Sequence, residues 1–230
     1  MRLLTLFLAL SVCHCEGVLP PHVQPAAAVP SAPPGAAKVV FLRPANSCEV
    51  GGYYTLATTQ GRFLGNLYTE MRLEADLPPG AVRFVAWNAE APPANGTWAA
   101  KDVAVAEAHL EAGRTYFLRF GFGEWNVRGP VGPVRWVLPH TAYVRSICPN
   151  GEAALLAVRP GTKEWQVLPR WLDDLTPVRS LAPTAPLDPG LFAEKVQLAS
   201  ARLELLLPDA RALATVRPGD GVRIVGPTRP

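Results

Sequence analysis

Residues 70–77 read EMRLEADL, and after PPG at 78–80 the chain continues as AVRFVAW at 81–87. In the first segment apolar residues alternate with charged ones, which is the period-two pattern of a β-strand with one solvated face. Proline and glycine then indicate a tight turn, because proline lacks a backbone donor and glycine tolerates unusual backbone angles. The stretch therefore predicts two strands joined by a turn.

Similar units occur elsewhere in the chain. Residues 38–43 (KVVFLR) are rich in β-forming side chains and stop at Pro44. Residues 103–110 and 114–120 flank a turn that contains glycine, and residues 153–158 form a last apolar run. Short strands at this spacing predict a mainly β fold, namely a small antiparallel β-sandwich or barrel.

Two later segments have helical character. Residues 164–175 predict a short helix that Pro169 would kink or split. Residues 191–207 are partly amphipathic, with Pro189 near the start and Pro208 at the end, and they predict a longer helix. We therefore expect one or two C-terminal helices.

Three of these motifs together carry a resemblance to a known family. The motifs are FLRP at 41–44 with a hairpin around Gly61 and Gly65, LPPG at 77–80, and LEAGRTYFLR at 110–119. Over roughly residues 37–123 the chain resembles a β-domain family of uncharacterised function that is common in bacterial envelope lipoproteins. The resemblance implies a short β-sandwich domain and carries over no catalytic residues.

The first residues of the chain have the character of an export signal. A positive start at Arg2 precedes the apolar run 3–12, which is shorter than the ~20 residues that span a bilayer. Residues 1–15 are therefore interpreted as a signal, and the protein as a component of the bacterial cell envelope. Residues 16–37, rich in proline and alanine, predict a stiff linker.

The signal contains a candidate lipid-attachment site. Residues 10–13 (LSVC) resemble a bacterial lipobox that ends at Cys13, although Val12 stands where a smaller residue is usual. On this interpretation the mature protein is anchored in the membrane by lipid on Cys13 and is periplasmic or exposed at the cell surface. The alternative is ordinary cleavage after Cys15 or Gly17, which would give a soluble periplasmic or secreted protein.

The domain organisation follows from these segments. The expected divisions are the signal at 1–15, the linker at 16–37, a β-sandwich domain at 38–160 and a helical C-terminal extension at 161–230. The formal net charge is only +3, and the arginines are scattered along the strands. Nucleic-acid binding needs a concentrated basic surface, so we expect no nucleic-acid partner.

No catalytic motif occurs in the sequence. His109 and His140 are the two histidines beyond the linker, and neither lies in a recognisable nucleophile, metal or phosphate-binding pattern. We therefore expect no catalytic residues, no metal and no cofactor. A hydrolase would require one of these histidines in a pocket beside an acid or a hydroxyl group.

The folded part contains two cysteines, Cys48 and Cys148. In an exported protein two such residues most often form a disulfide. A zinc site with His109 and His140 and a pair of free thiols are the alternatives, and no ligand spacing supports the zinc site.

Six tryptophans are many for 230 residues. Trp87, Trp98 and Trp125 fall at or near predicted loops, where an exposed indole ring can stack on a sugar; the alternative is that each packs in the core. The sequence thus favours a non-enzymatic envelope protein with a structural or partner-binding role, whose partner is an envelope protein or a glycan. A carbohydrate- or peptidoglycan-binding module that uses the loop aromatics is the alternative.

Overall fold

The computed structural model describes residues 23–25, 31–44, 53–88, 103–123, 127–129, 132–134, 152–180, 188–206 and 208–224. Its strands are β1 (Val23–Pro25), β2 (Ala37–Arg43), β3 (Tyr54–Thr58), β4 (Phe63–Leu67), β5 (Met71–Leu77), β6 (Gly80–Asn88), β7 (Val103–Leu110), β8 (Thr115–Gly123), β9 (Val127–Gly129), β10 (Gly132–Val134), β11 (Glu152–Val158), β12 (Thr176–Ser180) and β13 (Thr215–Val216). The helices are α1 (Lys163–Asp174), α2 (Pro189–Leu205) and α3 (Pro208–Leu213), followed by a 3-10 helix at Pro218–Asp220.

Two sheets contain all of these strands except the separate pair β9 and β10. Sheet A has the order β1-β12-β5-β2-β8-β11, and sheet B has the order β13-β7-β6-β3-β4. The two sheets pack face to face and are not closed into a barrel, which confirms the predicted mainly β, sandwich-like fold. The pairs β2–β8, β5–β12 and β7–β13 are parallel, which departs from a purely antiparallel pattern.

The glycine turns between the long strands change sheets rather than forming hairpins. The turn after β5 leads from sheet A into β6 of sheet B, and Gly80 there has a φ of +124°, which favours glycine. The turn after β7 returns the chain to β8 of sheet A, with Gly113 at a φ of +73°. These crossings explain how β8 comes to lie parallel to β2.

Aromatic pairs between the sheets form the centre of the core. Phe41 of β2 meets Phe84 of β6 edge to face, with ring centroids 5.2 Å apart. Tyr54 of β3 meets Phe120 of β8 at 4.1 Å. Each of the four side chains is at most 3% exposed. Aromatic side chains bury large apolar areas, so these pairs contribute strongly to the cohesion of the two sheets.

Each outer face of the sandwich is partly covered by a helix. The hydroxyl of Thr162 accepts a hydrogen bond from the backbone of Trp165 and caps α1, which packs Leu168 on sheet A. The carboxylate of Asp188 caps α2 in the same way, and α2 packs on sheet B. Pro169 lies inside α1, which is one continuous helix. The layers are therefore helix, sheet, sheet and helix, with both helices close to their predicted positions.

The C-terminal residues, expected to form a helical extension, also contribute strands to both sheets. Strand β12 pairs with β5 in sheet A, and β13 pairs with β7 in sheet B. Val222 exchanges backbone hydrogen bonds of 2.9 and 2.8 Å with Thr115 of β8. Residue 160 therefore does not separate two structural units. The missed strands have only five and two residues, too few for an alternating pattern to appear.

Candidate functional site

The outer face of sheet B has an apolar half and a polar half. Alternation along β6 and β7 directs Val85, Trp87, Val103 and Val105 outward, and α2 covers them. Further along the same strands, Arg83, Glu107 and His109 occupy the corresponding outward positions beyond the helix. The outward-facing residues of β6 and β7 thus change from apolar to charged where α2 no longer covers the sheet.

An open cleft lies over this polar half and has a volume of about 470 Å³. We call it the sheet B cleft. Its polar lining residues are Thr59, Gln60, Arg83, Glu107, His109 and Thr215. Its other lining residues are Ala81, Val82, Ala108 and Val216. The volume is within the range of small-ligand sites, although the cleft is open rather than enclosed.

Glu107 is the centre of the charged groups around the cleft. Its Oε1 accepts a hydrogen bond of 2.7 Å from Nη2 of Arg83, which lies opposite it in the β6–β7 pair. Its Oε2 accepts one of 3.2 Å from Nη2 of Arg211 on α3. Arg83 is 37% exposed and Arg211 48% exposed, so two guanidinium groups reach solvent around one carboxylate.

The environment of Glu107 favours its ionised form. Burial opposes ionisation, but the hydrogen bonds and charges of Arg83 and Arg211 outweigh it, so the pKa of the Glu107 carboxyl is lowered. The backbone of Glu107 also donates to the carbonyl of Ala214, which fixes β13 beside the cleft. The network therefore joins the polar half of sheet B to the C-terminal segment.

A second group of charges lies on the outer face of sheet A, and we call it the sheet A charge cluster (Lys38, Arg72, Glu74, Asp76 and Arg179). Nζ of Lys38 is 2.8 Å from Oδ1 of Asp76 and 3.5 Å from Oε2 of Glu74. Nε of Arg72 is 3.5 Å from Oε1 of Glu74.

Three members of the cluster are buried, and Asp76 reaches solvent at its edge. Lys38, Arg72 and Glu74 are at most 2% exposed, and Arg72 donates to the carbonyl of Leu172 in α1. Burial raises the pKa of Glu74, and the nearby cations offset this only in part. The alternation along β5 predicts a solvated face, and this expectation is wrong for Arg72 and Glu74, which are buried among the neighbouring strands and the Leu172 carbonyl of α1.

A further buried charge, that of Arg43, lies in the core between the two sheets. The Arg43 side chain is fully buried, and its Nη1 donates a 2.7 Å hydrogen bond to the carbonyl of Leu67. Its guanidinium carbon lies 5.1 Å from the ring centre of Tyr54 and 5.7 Å from that of Phe120. These are cation–π distances, which assign Arg43 to the core.

Two of the candidate site residues, His109 and Trp87, lie in the described part of the chain. His109 is exposed and lines the sheet B cleft on the same strand face as Glu107, whose two oxygens engage guanidinium groups. Trp87 is 3% exposed and packs beneath α2, with its ring 6.4 Å from that of Phe192. It therefore packs in the core, as the alternative had it, and does not present its ring to a ligand.

The other selected residues lie outside the described part of the chain. They are Cys13, Cys48, Trp98, Trp125, His140 and Cys148. Within the described residues, no group of three or more histidine, cysteine or acidic side chains is placed to hold a metal ion.

The network of Arg83, Glu107 and Arg211 has no signature in the sequence. Arg83 and Glu107 face each other only through the register of β6 and β7. The connection between these strands is too long for a turn type to fix that register. Arg211 comes from a helix more than a hundred positions from Arg83 in the sequence, so the sequence held no local signal for it.

Comparisons of the chain with protein-family models, with curated proteins and with solved structures find no match. None of the helices in the described residues is both long and apolar enough to cross a bilayer.

Proposed function

We propose that this chain is a non-enzymatic protein of the bacterial cell envelope and that its sandwich binds another envelope component through the sheet B cleft. The export signal and the linker of the sequence analysis support the location. On this proposal lipid on Cys13 anchors the chain, and the proline-rich linker holds the sandwich away from the membrane surface.

The single observation that carries the binding role is the difference in cover along sheet B. Where the outer face is apolar, α2 packs on it; where it is charged, the cleft leaves Arg83, His109 and Gln60 accessible. Charged groups that merely stabilise a fold need no such opening, as the buried Lys38, Arg72 and Glu74 of sheet A illustrate. An accessible polar cleft on a rigid sheet is instead suited to recognition.

Site-specific photo-cross-linking tests this role. A photoreactive amino acid replaces Gln60 at the cleft or, as a matched control, Gln166, which is exposed on α1 on the opposite outer face. In cells that export the full chain, we expect envelope material cross-linked at Gln60 and not at Gln166. Equal labelling at both positions, or none at Gln60, would contradict binding through the cleft.

Fractionation tests the attachment. We expect Cys13→Ala to move the protein from the membrane fraction to the soluble periplasmic or secreted fraction, because the lipid anchor is lost. Val12→Ala should speed processing by restoring a small residue before the cysteine. A mature N-terminus at Glu16 or Val18 without a lipid-modified peptide would refute the lipoprotein assignment while leaving export intact.

A further inference from the structure

We propose that the sheet B cleft binds a uronic acid residue of an acidic polysaccharide, with Arg83 of the cleft lining and Arg211, its neighbour across Glu107, holding the sugar carboxylate. This inference rests on the proposed function, because it names the kind of envelope component that the cleft recognises. Four features of the cleft support it: its charge, its floor, its rim and the pairing of its strands.

The charge balance of the cleft favours an anion. Arg83 and Arg211 share the one carboxylate of Glu107, so this face carries an excess positive charge before His109 is considered. A guanidinium group has five N–H donors, and each of these arginines donates one to Glu107 in the contacts described. A planar donor fork of this kind suits a second carboxylate, which can accept two parallel hydrogen bonds.

The floor of the cleft suits a ring that lies flat. Val82, Ala108 and Val216 pack toward the core between the sheets, so they bring mainly backbone to the cleft. Ala81 is the outward side chain next to them, and it is small. At Ala81 the floor has no bulky outward side chain, so the C–H face of a pyranose ring can approach the sheet there, beside Arg83 and His109.

The rim provides partners for sugar hydroxyl groups. Thr59 and Gln60 follow β3, and Thr215 lies on the other side of the cleft in β13. The Thr215 hydroxyl donates to the carbonyl of Arg211 at 2.7 Å, so its oxygen can accept a hydrogen bond from a ligand. Amide and hydroxyl groups that converge from two sides can fix the orientation of a polyhydroxylated ring.

The strand pairing argues against an acidic peptide as the occupant. An extended peptide usually binds a sheet by adding a strand to a free edge. At the cleft Ala81, Val82 and Arg83 of β6 pair with β7, and the Arg83 carbonyl also accepts from the backbone of Thr59. Glu107 and Ala108 of β7 pair with both β6 and β13. The central backbone of the floor is therefore engaged within the sheet, which favours recognition by side chains.

Calorimetric titration of the full chain with a linear trimer of galacturonic acid tests the inference. The neutral galactose trimer of the same linkage is the ligand control. We expect the acidic trimer to bind at least tenfold more tightly than the neutral one and to weaken as salt rises from 50 to 500 mM, because the main contact is ionic. Equal binding of the two trimers, or no binding of the acidic one at millimolar concentration, would overturn the inference.

The matched variants are Arg83→Gln in the cleft and Arg170→Gln on α1, where the arginine is exposed and paired with Asp174. Arg83→Gln should weaken binding of the acidic trimer at least tenfold, and Arg170→Gln should leave it unchanged. Arg83→Lys keeps the charge without the donor fork, and an intermediate loss is expected if it folds as the wild type does. Unchanged affinity in folded Arg83→Gln would refute the site.

The two proposals fail in different ways. Cross-linking of an envelope protein at Gln60 without binding of the acidic trimer would overturn the sugar and leave the proposed function in place. If the trimer bound in a way that depends on Arg83, but the chain were not found in the envelope, the sugar assignment would stand and the envelope function would be overturned.

Discussion

The two outer faces of the sandwich carry the same residue types, arginine and glutamate, under opposite conditions: the two lie on one strand of sheet A and on neighbouring strands of sheet B. On sheet A, Arg72 and Glu74 have almost no contact with solvent, and Arg72 donates to the Leu172 carbonyl of α1. On sheet B, Arg83 and Glu107 lie beyond the end of the cover and open into the cleft. The strand pattern is alike in both cases. The position of the covering helix decides which charges serve the fold and which remain accessible.

The two glutamates respond in opposite directions. Glu74 approaches Lys38 and Arg72 at 3.5 Å, and burial still raises its pKa. Glu107 is less buried and accepts hydrogen bonds from two arginines, and its pKa is lowered. Desolvation therefore outweighs the ion pairs on sheet A, and hydrogen bonding outweighs desolvation on sheet B.

The largest expected effect on stability concerns the sheet A side. Arg43 and Glu152 lie at the same end of the sheet, because β2 is parallel to β8 and Glu152 is opposite Gly123 at the end of β8. Strands are ~4.8 Å apart, so β2 and β11 are separated by ~10 Å there. Cys48 follows Arg43 by five residues, and Cys148 precedes Glu152 by four, so the chain is long enough to join them.

We predict a Cys48–Cys148 disulfide that stabilises the fold by about 4–5 kcal/mol, from closure of a loop of about 100 residues. Cys48→Ser should lower the free energy of unfolding by that order and reduce the periplasmic yield. Peptide mapping after alkylation without reductant is the direct measurement. Alkylation of both cysteines in the exported protein would show that they are free thiols, and the predicted stabilisation by a disulfide would then be wrong.

The next effect compares Arg72→Met with Arg83→Met. Loss of Arg72 leaves the buried Glu74 with fewer cations and removes the donor to the Leu172 carbonyl, so we expect a cost of about 3–5 kcal/mol. Loss of Arg83 breaks a solvent-exposed pair and should cost about 1 kcal/mol or less. Urea unfolding measures both. Similar costs would mean that the helix cover does not separate the two faces energetically.

The sequence predicted the positions of the strands better than the burial and pairing of their side chains. The predicted strand at residues 103–110 matches β7 in both bounds, and the one at 70–77 begins one residue before β5, because alternation and glycine turns are local signals. The burial of Arg72 and Glu74 depends on β12 and on the Leu172 carbonyl of α1, which lie far along the sequence, and the pairing of Arg83 with Glu107 depends on register. Both are tertiary properties that period-two patterning does not contain.

The smallest effect is a pair of opposed pH dependences. The raised pKa of Glu74 means that its protonated form favours the fold, so the stability it contributes is present below about pH 4.5 and is lost as the pH rises through the native pKa. The lowered pKa of Glu107 means that its contribution is present above about pH 4.5 and is lost as the pH falls through the native pKa.

Urea midpoints of the wild type, Glu74→Gln and Glu107→Gln between pH 3 and pH 8 separate the two residues. The difference in urea midpoint between the wild type and Glu74→Gln should shrink as the pH rises. Burial opposes the ionisation of Glu74, and the charges of Lys38, Arg72 and Arg179 offset this only in part. The difference in urea midpoint between the wild type and Glu107→Gln should shrink as the pH falls, because protonation of Glu107 removes the charged acceptor of Arg83 and Arg211. If both difference curves have the same sign of slope, the ion pairs of sheet A outweigh its desolvation, and the two faces differ in exposure but not in electrostatics.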